Sequence, residues 1–80
     1  MFHRLKAVTA LPDYVLLAEF EDGTFRKYDT KPLKAKLPVF RMLDDVYKLF
    51  EQVRIDAGGY GVVWNDELDL DAEEIYCNGY

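Results

Sequence analysis

Carboxylates that alternate near the end of the chain are the residues best suited to chemistry. Polar side chains stand at every second position there: Asn65, Glu67, Asp69 and Asp71. Calcium takes oxygen ligands, but an EF-hand loop that began at the asparagine would need glycine at its sixth position and glutamate at its twelfth. Leu70 and Tyr76 stand at those positions instead. The pattern therefore predicts an acidic loop over 65–69 that leads into a helix, and it predicts no metal site.

The glycines at 58, 59 and 61 are a second candidate, because glycine-rich loops bind phosphate groups. They lack the lysine and the serine or threonine of a Walker motif, and a strand pattern rather than a helix follows them. They predict the turn of a hairpin.

Nucleophilic catalysis has few candidates in this chain, which has no serine, one cysteine and one histidine. Cys77 falls at the predicted end of a helix with no histidine near it in sequence. We expect His3 to lie in a flexible terminal segment, which is a poor position for a proton relay. A single cysteine cannot form an intrachain disulfide, and a structural zinc site needs a cluster of cysteine and histidine. We therefore predict a protein that is not an enzyme, with no catalytic residue, no cofactor and no metal ligand.

Charge is distributed unevenly along the chain. Residues 1–36 hold seven Lys/Arg and five Asp/Glu, whereas residues 37–80 hold three and ten, so the two segments carry +2 and −7 of the total of −5. An acidic surface steers a basic partner toward it. The candidate residues for binding a protein partner are the following carboxylates: Asp66, Glu67, Asp69, Asp71, Glu73 and Glu74.

Nucleic acid is the alternative partner, through basic side chains between 26 and 36. The candidate contacts are Arg26, Lys27, Lys31, Lys34 and Lys36. A net charge of −5 is repelled by a phosphate backbone, which makes such binding unfavourable. A solvated strand end and loop is the simpler interpretation of these five residues.

The first half of the chain predicts three strands. Leu5 to Leu11 and Tyr14 to Phe20 are rich in apolar and β-branched residues, and Pro12-Asp13 supplies the turn between them. Asp22-Gly23 predicts a two-residue type I′ turn into a third strand that ends near Asp29. In that register three pairs face each other: Glu21 with Thr24, Phe20 with Phe25, and Glu19 with Arg26.

The second half of the chain predicts a helix, another hairpin and a final helix. Residues 30–38 form a connector in which Pro32 can open a helical turn, and apolar residues spaced three or four apart predict one main helix at about 45–51. Strands at 53–56 and 60–64 follow. Asp71 and Glu74 have the spacing of a capping box, so a short helix should begin there and run to about 77. The fold class is therefore α+β, with about five strands in antiparallel hairpins.

The length and hydropathy of the chain predict the number of domains and the cellular location. Eighty residues predict a single domain over 1–80. No stretch approaches the roughly 20 apolar residues that span a bilayer, and the N-terminus lacks the apolar core of a signal peptide, so we predict a cytoplasmic protein that does not enter membranes. Association into a homodimer would stabilise so small a fold, and we keep it as an open expectation.

Taken together, these segments resemble the bacterial family called Domain of Unknown Function 2442 over almost the whole chain. The resemblance rests on the segments 7–14 (Ala-Val-Thr-Ala-Leu-Pro-Asp-Tyr), 20–29 (Phe-Glu-Asp-Gly-Thr-Phe-Arg-Lys-Tyr-Asp), 39–40 (Val-Phe), 50–56 (Phe-Glu-Gln-Val-Arg-Ile-Asp), 61–64 (Gly-Val-Val-Trp) and the Asp-rich stretch 66–76. Many relatives have Pro-Asn-Gly after the tryptophan, whereas this chain has Asn-Asp-Glu, so the loop there should be shaped differently. The resemblance implies two antiparallel hairpins with an intervening helix and no established catalytic residue. It also implies, for some relatives, a place beside a second small protein in a toxin–antitoxin arrangement.

Three functions therefore stay open. The first is a non-enzymatic module that binds a protein partner, as the acidic, antitoxin-like half of a two-protein system. The second is a regulatory domain that touches nucleic acid through 26–36, and the third is an enzyme or ligand binder near 64–71.

Overall fold

The computed structural model describes residues 2–80, which form two three-stranded antiparallel sheets joined by a helical connector. The first sheet contains β1 (Leu5–Leu11), β2 (Val15–Phe20) and β3 (Phe25–Asp29), and the second contains β4 (Arg54–Ile55), β5 (Gly61–Asn65) and β6 (Leu68–Asp71). The helices are α1 (Leu33–Lys36), α2 (Met42–Asp45) and α3 (Ala72–Asn78), with 3-10 turns at Pro12–Tyr14, Pro38–Arg41 and Phe50–Gln52. The α+β class is confirmed, with six strands where about five were predicted.

The sixth strand is β6, which lies where the acidic loop over 65–69 was predicted. Leu68 and Leu70 point into the core and are 1% and 9% exposed, while Asp69 and Asp71 point to solvent. This is the period-two alternation of a half-buried strand, and the carboxylates concealed it because they occupy only the solvent face. The loop itself is a two-residue turn, in which the side-chain oxygen of Asn65 accepts a hydrogen bond from the Glu67 N–H at 2.9 Å.

The predicted register of the first hairpin is wrong by one residue. The Phe20 N–H donates to the Thr24 carbonyl at 2.8 Å and the Gly23 N–H donates to the Phe20 carbonyl at 3.0 Å, which is a three-residue loop with positive φ (89°) at Gly23 alone. Glu19 therefore faces Phe25, and Ala18 faces Arg26. A shift of one residue turns side chains to the opposite face.

The predicted main helix at 45–51 is also wrong. α2 ends at Asp45, Val46 is extended, and Lys48 has a φ of 57° before the next 3-10 turn begins. The pattern misled because Val46 and Tyr47 are exposed, at 43% and 84%, so the segment has no continuous buried stripe. Without that tertiary burial a seven-residue helix is too short to be stable.

Trp64 lies at the centre of the core and is 1% exposed. Its indole N–H donates to the Phe50 carbonyl at 3.2 Å, and the rings of Phe40 and Phe50 lie 6.0 and 6.3 Å from it. The connector is thus held against the second sheet by aromatic packing and one buried hydrogen bond.

The C-terminal helix is confirmed as α3, but the predicted capping box is not formed. Asp71 is the N-cap residue and makes no side-chain capping bond, and Glu74 hydrogen-bonds elsewhere. Among residues 2–80, no helix combines the length and apolarity needed to cross a membrane.

Candidate partner-binding groove

A groove of about 580 Å³ runs along the surface between α1 and α3, and we refer to it as the α1–α3 groove. Its floor contains the side chains of Leu33, Leu37 and Leu70. Its rim carries three of the predicted partner-binding carboxylates: Asp71, Glu73 and Glu74. The tertiary structure therefore places an apolar floor beside three carboxylates and one lysine, Lys36.

The floor comes from the short helix α1 and the end of β6. Pro32 opens the helical turn as predicted, but it lies at the N-cap position of α1 and not at the first helical position. The Leu37 N–H closes the helix by donating to the Leu33 carbonyl at 2.7 Å. Leu33 and Leu70 are buried, whereas Leu37 is 50% exposed at the open side. The exposed apolar surface among these three leucines therefore comes mainly from Leu37.

Glu74 is held in place on the rim by two hydrogen bonds. Its carboxylate accepts from the hydroxyl of Tyr28 at 2.8 Å and from the side-chain amide of Asn78 at 2.9 Å. Burial, and secondarily the bond to this carboxylate, raise the pKa of the Tyr28 hydroxyl, so the tyrosine stays a donor at neutral pH.

Glu73 is held by the N-terminal segment. Its two carboxylate oxygens each lie 3.1 Å from Nδ1 of His3, and the backbone N–H of His3 donates to the same carboxylate. The backbone hydrogen bond, followed by the side-chain bond, keeps the pKa of the Glu73 carboxyl below its ordinary value. Both hydrogen bonds favour the ionised form, so Glu73 carries its charge on the rim at neutral pH.

The prediction that His3 lies in a flexible segment is wrong. Its ring stacks on the ring of Tyr76 with centroids 3.6 Å apart and planes 9° apart, and its side chain is 26% exposed. The N-terminal segment is thus attached to α3 by contacts that span seventy positions of the chain. No local sequence signal could have shown this.

The other predicted carboxylates lie outside the groove. Asp66 and Glu67 form the turn between β5 and β6, and Asp69 lies on the solvent face of β6, opposite Val63. The structure therefore divides the six predicted residues into two groups, and only Asp71, Glu73 and Glu74 converge on an apolar surface.

Most of the predicted partner-binding carboxylates make no salt bridge with a cationic side chain of the described residues. Six salt bridges occur among residues 2–80, and none contains Asp66, Glu67, Asp69, Asp71 or Glu74. Only Glu73 is paired, with a histidine. The negative charges of these carboxylates are therefore available to a partner.

The predicted nucleic-acid contacts are mostly committed to internal bonds. The Nε of Arg26 donates to the Tyr76 carbonyl at 3.1 Å, and its guanidinium lies 5.0 Å from the centre of that ring. Lys31 contacts the carboxylates of Asp13 and Asp29, and Lys34 contacts that of Asp44 at 2.8 Å. Lys27, on β3, and Lys36, at the end of α1, make no salt bridge among the described residues. Three of the five residues therefore have internal partners among the described residues.

The predicted ligand region at 64–71 is also divided by the structure. Trp64 is buried and its N–H is already bonded, so it cannot contact a ligand at the surface. Asp56, Asp69 and Asp71 border a hollow of about 290 Å³ above Gly61. Within residues 2–80, no three His, Cys, Asp or Glu side chains are arranged to hold a metal ion.

A second groove, of about 620 Å³, was missed by sequence analysis. It lies between the end of β1 and the segment that follows α2, with Leu43 and Phe50 in its floor. Three non-glycine residues among 2–80 have positive φ, and all of them line this groove: Asp13 (67°), Tyr14 (60°) and Lys48 (57°). Tyrosine and lysine rarely adopt this conformation, so their residue types carried no signal of the groove.

The fold and its surface define a small α+β domain of two three-stranded antiparallel sheets, with open grooves on its flanks. A family model described as Protein of unknown function (DUF2442) matches residues 5–79. The chain belongs to this family, as the resemblance in sequence predicted. No curated protein and no solved structure matches the chain.

Proposed function

We propose that this protein is a non-enzymatic module that binds a basic protein partner in the α1–α3 groove. The observation that carries the proposal is the meeting of an apolar floor with three carboxylates on one rim. A partner segment with alternating apolar and basic side chains would place its apolar side chains on the exposed Leu37. Its basic side chains would lie against Asp71, Glu73 and Glu74.

The rim is organised before the partner arrives. Glu73 is held by His3 and Glu74 by Tyr28 and Asn78, so little side-chain entropy is lost when a cation approaches them. Asp71 is exposed and makes no capping bond, so it can turn toward the partner. The −7 charge of residues 37–80 would accelerate the encounter with a basic protein, and this acceleration should decrease as salt is added.

The biological arrangement that we propose is a two-protein system in which this chain takes the acidic, antitoxin-like part. An acidic chain can cover a basic surface of its partner. While covered, that surface cannot bind a phosphate-bearing target. The proposal draws support from the carboxylates on the rim of the α1–α3 groove, of which Asp71 and Glu74 make no salt bridge among residues 2–80.

The description as non-enzymatic rests on the surroundings of the groups that could act as base or nucleophile. Nδ1 of His3 is engaged by Glu73, and Cys77 is exposed in the α1–α3 groove. In this proposal neither group takes part in chemistry.

The experiment begins with capture of partners from a lysate of the native host and continues with the purified partner. The Kd should be measured by isothermal titration for wild type, Asp71→Asn and the matched control Asp66→Asn. Asparagine is as good an N-cap as aspartate, so the first variant removes only a charge from the rim. We expect it to weaken binding several-fold at low salt, and the control to bind as wild type does. Equal affinities of all three, or an equal loss in both variants, would contradict a site in this groove.

A further inference from the structure

A run of exposed residues lies directly beside the α1–α3 groove. Residues 35–39 are all exposed, and Leu37 and Val39 retain 50% and 43% of their surface in solvent. Large apolar side chains that stay this exposed on adjoining positions are typical of a contact surface. The segment continues into the 3-10 turn at Pro38–Arg41, which fixes its conformation.

The same segment carries the charge that the groove requires. Lys36 and Arg41 are exposed, and neither takes part in a salt bridge among the described residues. Together with Leu37 and Val39 they present basic and apolar side chains on one short stretch. This stretch therefore has the chemistry that we proposed for a partner of the α1–α3 groove.

We propose that a second copy of this chain occupies the groove, with residues 36–41 of each copy on the rim and floor of the other. In this arrangement Lys36 and Arg41 of one copy meet Asp71, Glu73 and Glu74 of its partner. Lys36 and Leu37 belong both to the segment and to the lining of the groove, so the two surfaces adjoin. A two-fold axis through such a patch makes both contacts at once and closes the assembly as a dimer.

This inference rests on the proposed function, because it uses the same groove, and it adds a form of regulation. A basic partner and the second copy would compete for one site. The free protein would then be a dimer with covered grooves, and binding of the partner would release one copy from the other. Apparent affinity for the partner would decrease as the concentration of this protein increases.

The test uses sedimentation velocity of the full chain from about 5 μM to about 1 mM, a range that reveals weak association by mass action. Val39→Asp places a charge on the segment at a position that does not line the groove. Val46→Asp is the matched control, since Val46 has the same exposure of 43% but borders the other groove. We expect wild type and the control to dimerise alike, and Val39→Asp to raise the dissociation constant at least about tenfold, or about 1.4 kcal/mol.

A photo-crosslinking side chain placed at position 39 provides a second measurement that does not depend on a loss of association. In a mixture of ¹⁴N- and ¹⁵N-labelled protein, cross-linked peptides that join 39 of one isotope to residues 70–78 of the other would support the arrangement. Monomers at every concentration, equal behaviour of the two aspartate variants, or cross-links to a different surface would overturn it. If the protein is monomeric but Asp71→Asn still weakens partner binding, this inference fails and the proposed function stands. If the protein dimerises as described but no partner binding depends on Asp71, the proposed function fails instead.

Discussion

The imidazole of His3 lies flat against the ring of Tyr76, with centroids 3.6 Å apart and planes 9° apart. This contact joins the second residue before β1 to the C-terminal helix, and the carboxylate of Glu73 fixes the imidazole from one edge. The N-terminal segment therefore contacts the α1–α3 groove through Glu73, which lines it.

His3→Ala should destabilise the fold by about 1 kcal/mol, because it removes the stacked pair and the hydrogen bonds of its ring. The free energy of unfolding can be measured by urea titration followed by circular dichroism. Arg4→Ala is the control, since its salt bridge to Glu21 is long (3.6 Å) and half exposed. An equal, small effect of both substitutions would show that the stack contributes nothing.

Stability should decrease at acidic pH in a manner that depends partly on Glu73. Its hydrogen bonds to His3 lower its pKa in the folded state. A depressed folded pKa stabilises the protein above the unfolded value of about 4.3, and this contribution is lost as the pH decreases through the folded pKa.

Urea titrations at a series of pH values from about 6 to about 3, a range that begins above the unfolded pKa and extends below it, measure the effect. Glu73→Gln should unfold with a shallower dependence on pH than wild type. Glu67→Gln, in the exposed turn after β5, is the matched substitution elsewhere. A wild-type slope in Glu73→Gln would mean that other carboxyls with lowered pKa, such as those of Asp29 and Asp44, account for the effect.

Two glycines of the second hairpin should differ sharply in their tolerance of alanine. A Cβ at Gly61 would lie 2.9 Å from the Leu70 carbonyl oxygen, whereas one at Gly58 would meet only a Tyr60 ring carbon at 3.4 Å and Asp56 Oδ1 at 3.8 Å. We expect Gly61→Ala to cost about 2 kcal/mol, because the backbone of β6 must move. Gly58→Ala should change stability by less than about 0.5 kcal/mol. Thermal unfolding of the two variants measures this difference in stability. Equal unfolding midpoints would contradict the prediction.

The register of the first hairpin can be tested with two phenylalanines. Phe20 is fully buried and packs at 4.9 Å against Tyr76, whereas Phe25 is 57% exposed. Phe20→Ala should cost about 4 kcal/mol and Phe25→Ala less than about 1 kcal/mol. Denaturant titration measures both values. Similar losses at the two positions would support the register in which these residues face each other as a pair.

Local physical chemistry was enough to locate most elements from the sequence. Pro12-Asp13 and Asp22-Gly23 predicted turns because their backbones suit those conformations, and the strands between them followed from their apolar and β-branched residues. The helix from Ala72 to Asn78 was predicted from the capping-box spacing of Asp71 and Glu74, although that box does not form. Each of these signals acts over a few positions, so no knowledge of the rest of the chain was needed.

The register of the hairpin, the strand β6 and the absence of a helix at 45–51 were decided by the tertiary structure. In each case the outcome depended on which side chains are buried by residues that lie far away in the sequence. The sequence contained the alternation of Leu68 and Leu70, but its meaning depended on a core that the other sheet supplies.

The same division holds for the candidate site. The amino-acid sequence by itself determined that the second half of the chain is acidic and that the chain has no serine, one cysteine and one histidine. Only the fold decided that Asp71, Glu73 and Glu74 would share a groove with Leu37, and that His3 would hold one of them from the opposite end of the chain. Charge and residue type are properties of the covalent chain, whereas convergence of side chains depends on contacts between residues far apart in sequence.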